Sequence, residues 1–514
     1  MHPINLSWTR LALLGGLFIA AAGLMALVLR PFTTASIGPD AAAPVVHFQR
    51  ILEGLHLEGY LGQTPKPLLT VVYGVIYGVT HDWRPIAWAA IAVFATCVVL
   101  GGLLGYRVGG PASGAFVAVG ILFSAVLLVD LSLAYSVTWA LLAWLVAALA
   151  VTAERPRYGI AGVALALGSL ARLETLIVVV VALGGLIVAE VLARKADRPR
   201  PPRRAYLTLL GFLALPVMLV HDWLLTGDPL FWAKIAQLNS IGAENIRGPI
   251  QVSVSLGLHF VHTAPILPLA AFGAFVLLRQ RRWPMVLGLL ALGPGVSAFL
   301  VYLGARGIFV SNRYLAPIDL SLLFTAGIGL SALDAPQVRR LVRRINSIGQ
   351  RTVLAPLLVG SVAALALAPV GLLDHTTRGT IARQIQLHAN EQQAMAAIRT
   401  ELAAPSSCLQ AARASDVVPL STVIVPSRLR VQAVVDLDLP LTEVSKPDGI
   451  TLAAGLPVPG QIVYHDRLDG QTSKAYAIYE IDQPVVIGAI RLVPLLADAT
   501  HGFWVIQVDN ASCP

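Results

Sequence analysis

The chain has 514 residues, of which 56% are hydrophobic and only 13% are charged, and its formal net charge is +9. Soluble domains carry about 25% charged residues, so this composition excludes a soluble enzyme, a disordered chain and a disulfide-rich secreted scaffold. The surplus basic residues collect in short loops between apolar segments, which indicates membrane topology rather than nucleic-acid binding. We therefore expect a polytopic membrane protein with no nucleic-acid partner.

The first apolar segment and the polar segment after it differ sharply. Residues 11–29 are apolar, and at about 1.5 Å per residue they can cross a bilayer core of about 30 Å. We expect an uncleaved first helix with a cytoplasmic N-terminus, since a signal peptide would have a shorter apolar region and a cleavage site. Residues 31–66 are rich in charge, and apolar residues recur at helical spacing from Val45 onward. That pattern is typical of an amphipathic helix on the membrane surface.

Further apolar segments bring the number of candidate membrane helices to twelve. They cover residues 67–80, 85–105, 112–129, 132–152, 159–171, 175–193, 205–220, 254–278, 285–303, 314–333 and 353–373. Four basic clusters predict cytoplasmic loops, at 155–157, 194–204, 279–282 and 339–351. The intervening loops and the tail are then external. A cytoplasmic N-terminus and an external tail require an odd number of crossings, so one early assignment is wrong and we expect about 11–13 membrane helices.

The tail, residues 374–514, reverses the charge bias and contains more acidic than basic residues. Residues 380–403 have a helical pattern, and alternating apolar residues predict strands at Val431–Leu439, Ala475–Ile481 and Val485–Val493. We expect a small extracytoplasmic α/β or β-rich domain over 374–514, separate from an all-α transmembrane domain over 1–373.

Two of the three cysteines also fall in this tail. Cys97 lies inside an apolar segment and is expected to be inert. Cys408 and Cys513 would meet an oxidising compartment if the tail is external. The sequence leaves open whether those two cysteines pair.

Ionisable residues at membrane depth are costly and indicate function. On the predicted topology, several from distant parts of the chain fall on the external face, where the helix bundle could gather them into one cavity. They are Asp40, Lys66, Asp130, Arg172, Glu174, Asp222, Asp228, Lys234, Arg306 and Arg313.

Two short motifs admit both a structural and a functional interpretation. The sequence Arg172-Leu173-Glu174 interrupts an otherwise apolar stretch. Either this pair neutralises itself at a tight turn, or Glu174 holds Arg172 toward an anionic headgroup. Arg313 and Tyr314 open a later apolar segment, where they either anchor the helix at the interface or bind a phosphate through the guanidinium.

Other patterns favour structural interpretations. The loop His221–Trp232 carries two acids and three aromatic residues, which suit an ordinary membrane interface better than a sugar-binding ledge. The Asp-Leu-Asp sequence at 436–438 matches the D-x-D of nucleotide-sugar enzymes, but it lies in a predicted strand of the tail. His259 and His262 lack further metal ligands. There is no Walker A or G-x-G-x-x-G sequence, so ATP-driven transport by this chain alone is not expected.

The order of segments and motifs along residues 1–335 is similar to a known superfamily. A first helix precedes an external loop with an acid and an amphipathic segment, and four motifs follow. They are Gln63-Thr64-Pro65-Lys66-Pro67-Leu68-Leu69, Leu170-Ala171-Arg172-Leu173-Glu174, Leu225-Thr226-Gly227-Asp228-Pro229-Leu230 and Asn312-Arg313-Tyr314-Leu315-Ala316-Pro317. This arrangement resembles the GT-C integral-membrane glycosyltransferases, most of all bacterial mannosyl-, aminoarabinosyl- and arabinofuranosyltransferases that use polyprenyl-phosphate sugars.

The resemblance implies roles for the residues of the external face. The acid of the first external loop is the family's catalytic base, and Asp40 is the Asp of that loop, with Glu53 and Glu58 as rivals further along. Positive charge at the donor phosphate is expected from Lys66, Arg172 and Arg313. Substrate contacts are expected from Asp130, Glu174, Asp228 and Tyr314.

The resemblance also implies a reaction. The donor is a polyprenyl-phosphate sugar, and the acceptor is a cell-envelope glycan, lipid or protein. Polyprenyl phosphate is a good leaving group, so positive charge and one carboxylate base suffice, and attack opposite the leaving group inverts the anomeric centre. Asp40 has no adjacent second acid, so no cofactor is predicted, and a divalent metal stays open.

We therefore expect a multi-pass enzyme of a bacterial cytoplasmic membrane, in contact with membrane lipid and with its C-terminal domain outside. Two other functions remain possible from the sequence. One is a transporter or flippase for a lipid-linked sugar, which would place polar residues deep in several spans. The other is a non-catalytic scaffold of the cell envelope.

Overall fold

The computed structural model describes most of the chain and is mostly helical, as predicted. The described residues are 8–32, 37–57, 64–196, 200–234, 248–263, 266–280, 282–306, 312–333, 375–414, 422–426, 428–445, 458–469 and 478–512. Helices α1 to α8 are Trp8–Leu29, Pro39–Glu53, Pro67–Thr80, Arg84–Gly109, Pro111–Phe123, Ala125–Ser132, Val137–Val151 and Tyr158–Ala171.

The second half of the membrane region begins with α9, Thr175–Ala196. A 3₁₀ helix, Arg203–Leu213, runs directly into α10, Ala214–Thr226. The remaining helices are α11 (Pro249–His262), α12 (Leu267–Arg279), α13 (Trp283–Leu290), a π-helical turn (Ala291–Gly295), α14 (Val296–Ala305), a 3₁₀ turn (Asn312–Leu315) and α15 (Ala316–Leu333).

Six described helical stretches are long and apolar enough to cross a membrane. They are Leu11–Leu29, Arg84–Gly109, Thr175–Arg194, Arg203–Thr226, Gly288–Ala305 and Ala316–Leu333. Six shorter apolar helices accompany them. One is α3, whose 14 residues extend only about 21 Å at 1.5 Å per residue. The last predicted span, 353–373, lies outside the described residues, so the count of 11–13 stays a prediction.

Two predicted spans are each divided into two helices. The segment 112–129 breaks at Ser124, whose hydroxyl accepts a hydrogen bond from Leu127 N and caps α6. The segment 254–278 ends as α11 at His262 and restarts as α12, with a proline in the first turn of the new helix. Proline removes a backbone donor and is tolerated there, whereas it would break a helix interior. Local capping chemistry therefore overrides the continuous apolar pattern.

The tail folds into an α/β domain, as predicted. Its helices are α16 (His375–Ala403), α17 (Ser407–Arg413) and α18 (Arg430–Leu437). Its strands are β1 (Val423–Ile424), β2 (Val444–Ser445), β3 (Ile462–Asp466), β4 (Val485–Ile487), β5 (Ile490–Asp498) and β6 (Phe503–Asn510). They form one mixed sheet in the order β2-β1-β3-β6-β5-β4, parallel among the first three strands and antiparallel beyond.

The helix over 380–403 is confirmed, but one strand prediction in the tail is wrong, and a second fails over the residues that the structure describes. Val431–Leu439 contains α18 instead of a strand, because Val431, Val434 and Leu437 lie one helical turn apart and are buried together. In the described part of Ala475–Ile481, residues 478–481 form no strand. The run Val485–Val493 does form strand, as the hairpin β4–β5 that turns at Gly488 in the left-handed region.

The tail packs directly on the membrane helices. Helix α18 contacts α2, and Trp83 Nε1 donates a 2.7 Å hydrogen bond to Asp436 Oδ1. At a second contact, Ser132 of α6 donates a 2.6 Å hydrogen bond to Gln384 Oε1 of α16. One buried apolar cluster runs from α2 into α18. The predicted division at residues 373 and 374 therefore stays a prediction.

The two cysteines within the described residues differ in their bonding state. Cys97 is buried and free. Cys408 is disulfide-bonded, which suits an oxidising compartment. Cys513, the partner considered from sequence, lies outside the described residues.

Candidate active site

Helix α2 presents Asp40 at its positive end. Gly38 caps the helix with extended backbone, and Pro39 occupies the first turn, where its fixed φ suits helix initiation. Asp40 also lies in the first turn and is only 8% exposed. Unpaired N–H groups and the helix dipole stabilise negative charge at this end. The local sequence therefore places one buried acid where a carboxylate is favoured.

The start of α2 is held by the turn that follows α6. The amide of Gly38 donates a 2.9 Å hydrogen bond to the carbonyl oxygen of Leu133. A Cβ atom at Gly38 would lie 2.3 Å from Cε1 of the Tyr135 ring. Only glycine allows this approach, so the position of Asp40 depends on the packing between Gly38 and Tyr135.

Lys66 meets Asp40 across the external segment. Its Nζ lies 3.6 Å from Asp40 Oδ1, and Nζ also donates to the carbonyl oxygen of Thr64 at 3.3 Å. Lys66 is 7% exposed and caps α3. The predicted base and the predicted phosphate-binding lysine therefore form one buried ion pair, although the sequence motif alone did not require them to touch.

Two buried histidines adjoin this pair, and neither was predicted as a site residue. The Nε2 atom of His221 lies 3.1 Å from Thr70 Oγ1, which itself donates to the Lys66 carbonyl. The ring of His47 lies 6.3 Å from that of His221. Both nitrogens of His47 lack a hydrogen-bond partner among the described residues, although its side chain is buried. Burial lowers the pKa of His47 well below its usual value, and the nearby His221 and Lys66 lower this pKa further.

His47 lies on the same face of α2 as Asp40. Residues seven apart in a helix are separated by two turns and point in nearly the same direction. Its place beside His221 and its electrostatic coupling to Lys66 make His47 a further candidate site residue.

Arg172, Glu174 and Tyr314 form a second group. Arg172 Nη2 donates to Glu174 Oε1 at 2.8 Å and its Nε to Oε2 at 3.3 Å. The guanidinium carbon lies 5.1 Å from the centre of the Tyr314 ring, a cation–π distance. All three residues line one cavity whose other walls include Trp144 and Pro317. The pair thus neutralises itself at a turn and also lines a cavity, and binding of an anionic headgroup by Arg172 stays a prediction.

Helix α6 connects the two groups. Its Asp130 is buried, and the carbonyl of Asp130 accepts hydrogen bonds from Leu133 and Tyr135 in the turn that holds Gly38. The other side of α6 packs against the 3₁₀ turn Asn312–Leu315. Arg313 belongs to this turn, but its side chain lies outside the described part of the structure.

Asp228 is paired within its own loop. Its carboxylate forms an ion pair with Lys234 in the loop after α10 and accepts a 3.0 Å hydrogen bond from Leu230 N. The hydrogen bond from Lys234 lowers the pKa of Asp228. The neighbouring Asp222 is fully buried, and its Oδ2 accepts a 2.7 Å hydrogen bond from Trp232 N. Both acids therefore shape the loop.

The sequence patterns interpreted as structural, around Asp436 and His259, have hydrogen-bond partners within the fold. Asp436 of the D-x-D sequence is bonded to Trp83 and Gln432, and burial raises its pKa to about 6. His259 Nε2 lies 2.6 Å from Asp319 Oδ1. Within the described part of the chain, no group of three or more His, Cys, Asp or Glu residues is arranged to hold a metal ion.

The fold is similar to that of two crystallised membrane proteins, which confirms the resemblance at the level of fold alone. It is similar to the crystal structure of ArnT from Cupriavidus metallidurans bound to undecaprenyl phosphate, with a TM-score of 0.50, 15% identity and coverage of 98% of this chain and 99% of that one. It is also similar to the oligosaccharyltransferase of Archaeoglobus fulgidus in the apo form, with a TM-score of 0.50 and 14% identity.

The second likeness covers 90% of this chain and 70% of the archaeal protein. At these identities the similarities show the fold alone. No protein-family model and no curated protein sequence gives a significant match to this chain.

Proposed function

We propose that this chain transfers a sugar from a polyprenyl-phosphate donor to a cell-envelope acceptor, with Asp40 as the general base. The observation that carries the proposal is the buried ion pair of Asp40 and Lys66 at the positive end of the first external helix. The GT-C fold supports it, and ArnT, which has this fold, binds undecaprenyl phosphate.

The two charges suit the two ends of the reaction. The acceptor oxygen bonds to the anomeric carbon while its proton passes to Asp40, a step worth roughly 10² to 10⁴ in rate. The bond from that carbon to the phosphate oxygen breaks, and the polyprenyl phosphate leaves with its negative charge beside Lys66. Fixed positive charge in a water-poor site stabilises such a developing anion. Attack opposite the leaving group inverts the anomeric centre.

The remaining predicted site residues are supported to different degrees. Glu174 holds Arg172 in a fixed orientation beside a small cavity of about 20 Å³ that Tyr314 also lines, and a fixed guanidinium suits phosphate binding. Asp130 lies in the connecting helix. Arg313 stays a proposal from the motif alone, and Asp228 has the weakest support because it is paired with Lys234 of its own loop.

The site would face the outside of a bacterial cytoplasmic membrane, with the C-terminal domain on the same side. The basic loops support this orientation, and so does the disulfide-bonded Cys408. The acceptor is a glycan, lipid or protein of the envelope. A lipid-linked-sugar flippase or an envelope scaffold would replace this function if no transfer is found.

The test uses purified protein in lipid with a panel of radiolabelled polyprenyl-phosphate sugars and a crude envelope acceptor. Asp40→Asn is compared with Glu53→Gln, which changes the rival acid on the exposed end of the same helix. We expect transfer by wild type and Glu53→Gln, and its loss in Asp40→Asn. Loss in Glu53→Gln alone would move the base. Donor translocation without transfer in any protein would favour the flippase.

A further inference from the structure

A groove separate from the candidate active site lies between the end of α1 and helix α16. Its volume is about 520 Å³, within the range of small-molecule sites. The residues that line it are Val28, Arg30, Arg378, Ile381, Ala382, Ile385 and Gln386. The membrane region and the tail therefore build this groove together.

The groove is amphipathic. Arg30 and Arg378 supply two guanidinium groups, and both residues are exposed. Among the described residues that line the groove, none is acidic. The floor is apolar, because Ile381 is buried and Ile385 is half-buried beside Val28. Two positive charges over an apolar floor are complementary to an anionic amphiphile.

The position of the groove is at the edge of the membrane. Arg30 directly follows the span Leu11–Leu29, and its neighbour Leu27 is 77% exposed. Most of α1 is exposed apolar surface, as expected of a helix that faces lipid tails. Phe32 packs edge-on against Trp88 at 4.7 Å between ring centres, and aromatic residues of this kind mark the membrane–water interface.

We propose that this groove binds the phosphate headgroup of an anionic membrane lipid, with the lipid tail along the exposed face of α1. Arginine binds phosphate oxygens in bidentate fashion, and two arginines can share one phosphate. A lipid fits this groove better than a soluble anion does. The groove is continuous with the exposed apolar surface of α1, which a soluble anion would not contact. The site is independent of sugar transfer.

A lipid bound in this groove would also affect how the tail packs on the membrane helices. Ile385 and Gln386 follow Gln384, which accepts the hydrogen bond from Ser132 of α6. A lipid held by Arg30 and Arg378 therefore links α1 to the helix that contacts α6. Anionic lipid should stabilise this junction.

The test uses the full chain in nanodiscs that contain a trace of photo-crosslinkable phosphatidylglycerol or, in parallel, photo-crosslinkable phosphatidylcholine. Cross-linked peptides are mapped by mass spectrometry. We expect the anionic probe to label the peptides that contain residues 27–30 and 378–386, and the zwitterionic probe to label them at least about fivefold less, given the strength of charge-assisted phosphate contacts. Excess inorganic phosphate should not displace the probe.

Three variants separate charge from shape. Arg30→Gln with Arg378→Gln should abolish the preference for the anionic probe, and Arg30→Lys with Arg378→Lys should keep part of it. Ala382→Trp fills the groove without changing its charge and should lower labelling by both probes. Size-exclusion profiles and thermal unfolding confirm that each variant is folded.

Equal labelling by the two probes in wild type would overturn the proposal. Labelling unchanged in both Ala382→Trp and the Gln variant would also overturn it. Displacement by inorganic phosphate would show a soluble-anion site instead. Because the readout is lipid contact, these outcomes do not depend on whether the chain transfers a sugar.

Discussion

Lys66 Nζ lies 3.6 Å from Asp40 Oδ1, and both side chains are almost fully buried. The pair joins the cap of α3 to the first turn of α2. A buried charge that loses its partner is costly, so each residue compensates the charge of the other. The two residues should therefore act as a unit.

Lys66→Met should lower both transfer and stability. It removes the cation that lies 3.6 Å from the buried Asp40, and breaking a buried ion pair costs on the order of 3 kcal/mol. We expect the donor KM to rise as well, and Lys66→Arg to recover part of both effects. Thermal unfolding and transfer kinetics of Lys66→Met, Asp40→Asn and the double variant give a double-mutant cycle. Additive losses would show that the pair is not coupled.

Gly38→Ala should displace the start of α2. The added Cβ would meet the Tyr135 ring at 2.3 Å, and such overpacking costs about 1 to 3 kcal/mol. Because Asp40 lies two residues later, we expect the transfer rate to fall by more than the loss of folded protein alone would cause. Gly23→Ala is the matched control, since nothing lies within 4 Å of a Cβ at Gly23. Equal transfer rates in the two variants would contradict the role of this contact.

His47 should make the fold sensitive to acid. Burial holds its pKa well below 6.5 in the folded chain, so the unfolded chain binds more protons in the interval between the two values. The stability contributed by neutral His47 is present above pH 6.5 and is lost as pH falls toward the folded pKa. His47→Leu should reduce the drop in unfolding temperature on acidification, and His56→Leu, at an exposed site, should not. An unchanged pH profile in His47→Leu would refute this.

Asp436 should have the opposite effect. Burial raises its pKa to about 6, above the ordinary 3.8, so its contribution is full below pH 3.8 and is lost as pH rises through 6. Asp436→Asn keeps an acceptor for Trp83 and removes the titration. Its unfolding temperature relative to wild type should therefore be higher above pH 6 than well below it. A constant difference across this range would contradict the assignment.

Some residues of the candidate site could be predicted from the sequence, and His47 could not. Asp40 and Lys66 are identified through the resemblance to the GT-C motifs, and both stand beside helix starts, at Gly38-Pro39 and Pro67. His47 is different, because the face that α2 buries is decided by packing against α3 and α18, and α18 is distant in sequence.

The error in the tail has a similar cause. Within residues 430–437, Val431, Ala433 and Val435 alternate as in a strand, while Val431, Val434 and Leu437 recur as in a helix. Eight residues are too few to separate the two periods. Packing of α18 against α2 selects the helix.

The central claim is that Asp40 is the base of a transfer reaction, and single-turnover kinetics test it most directly. Wild type and Asp40→Asn are first loaded with the same radiolabelled polyprenyl-phosphate sugar, and donor occupancy is measured before acceptor is added. We predict equal loading and a transfer rate lower by roughly 10² to 10⁴ in Asp40→Asn. Equal loading with equal rates would contradict the claim.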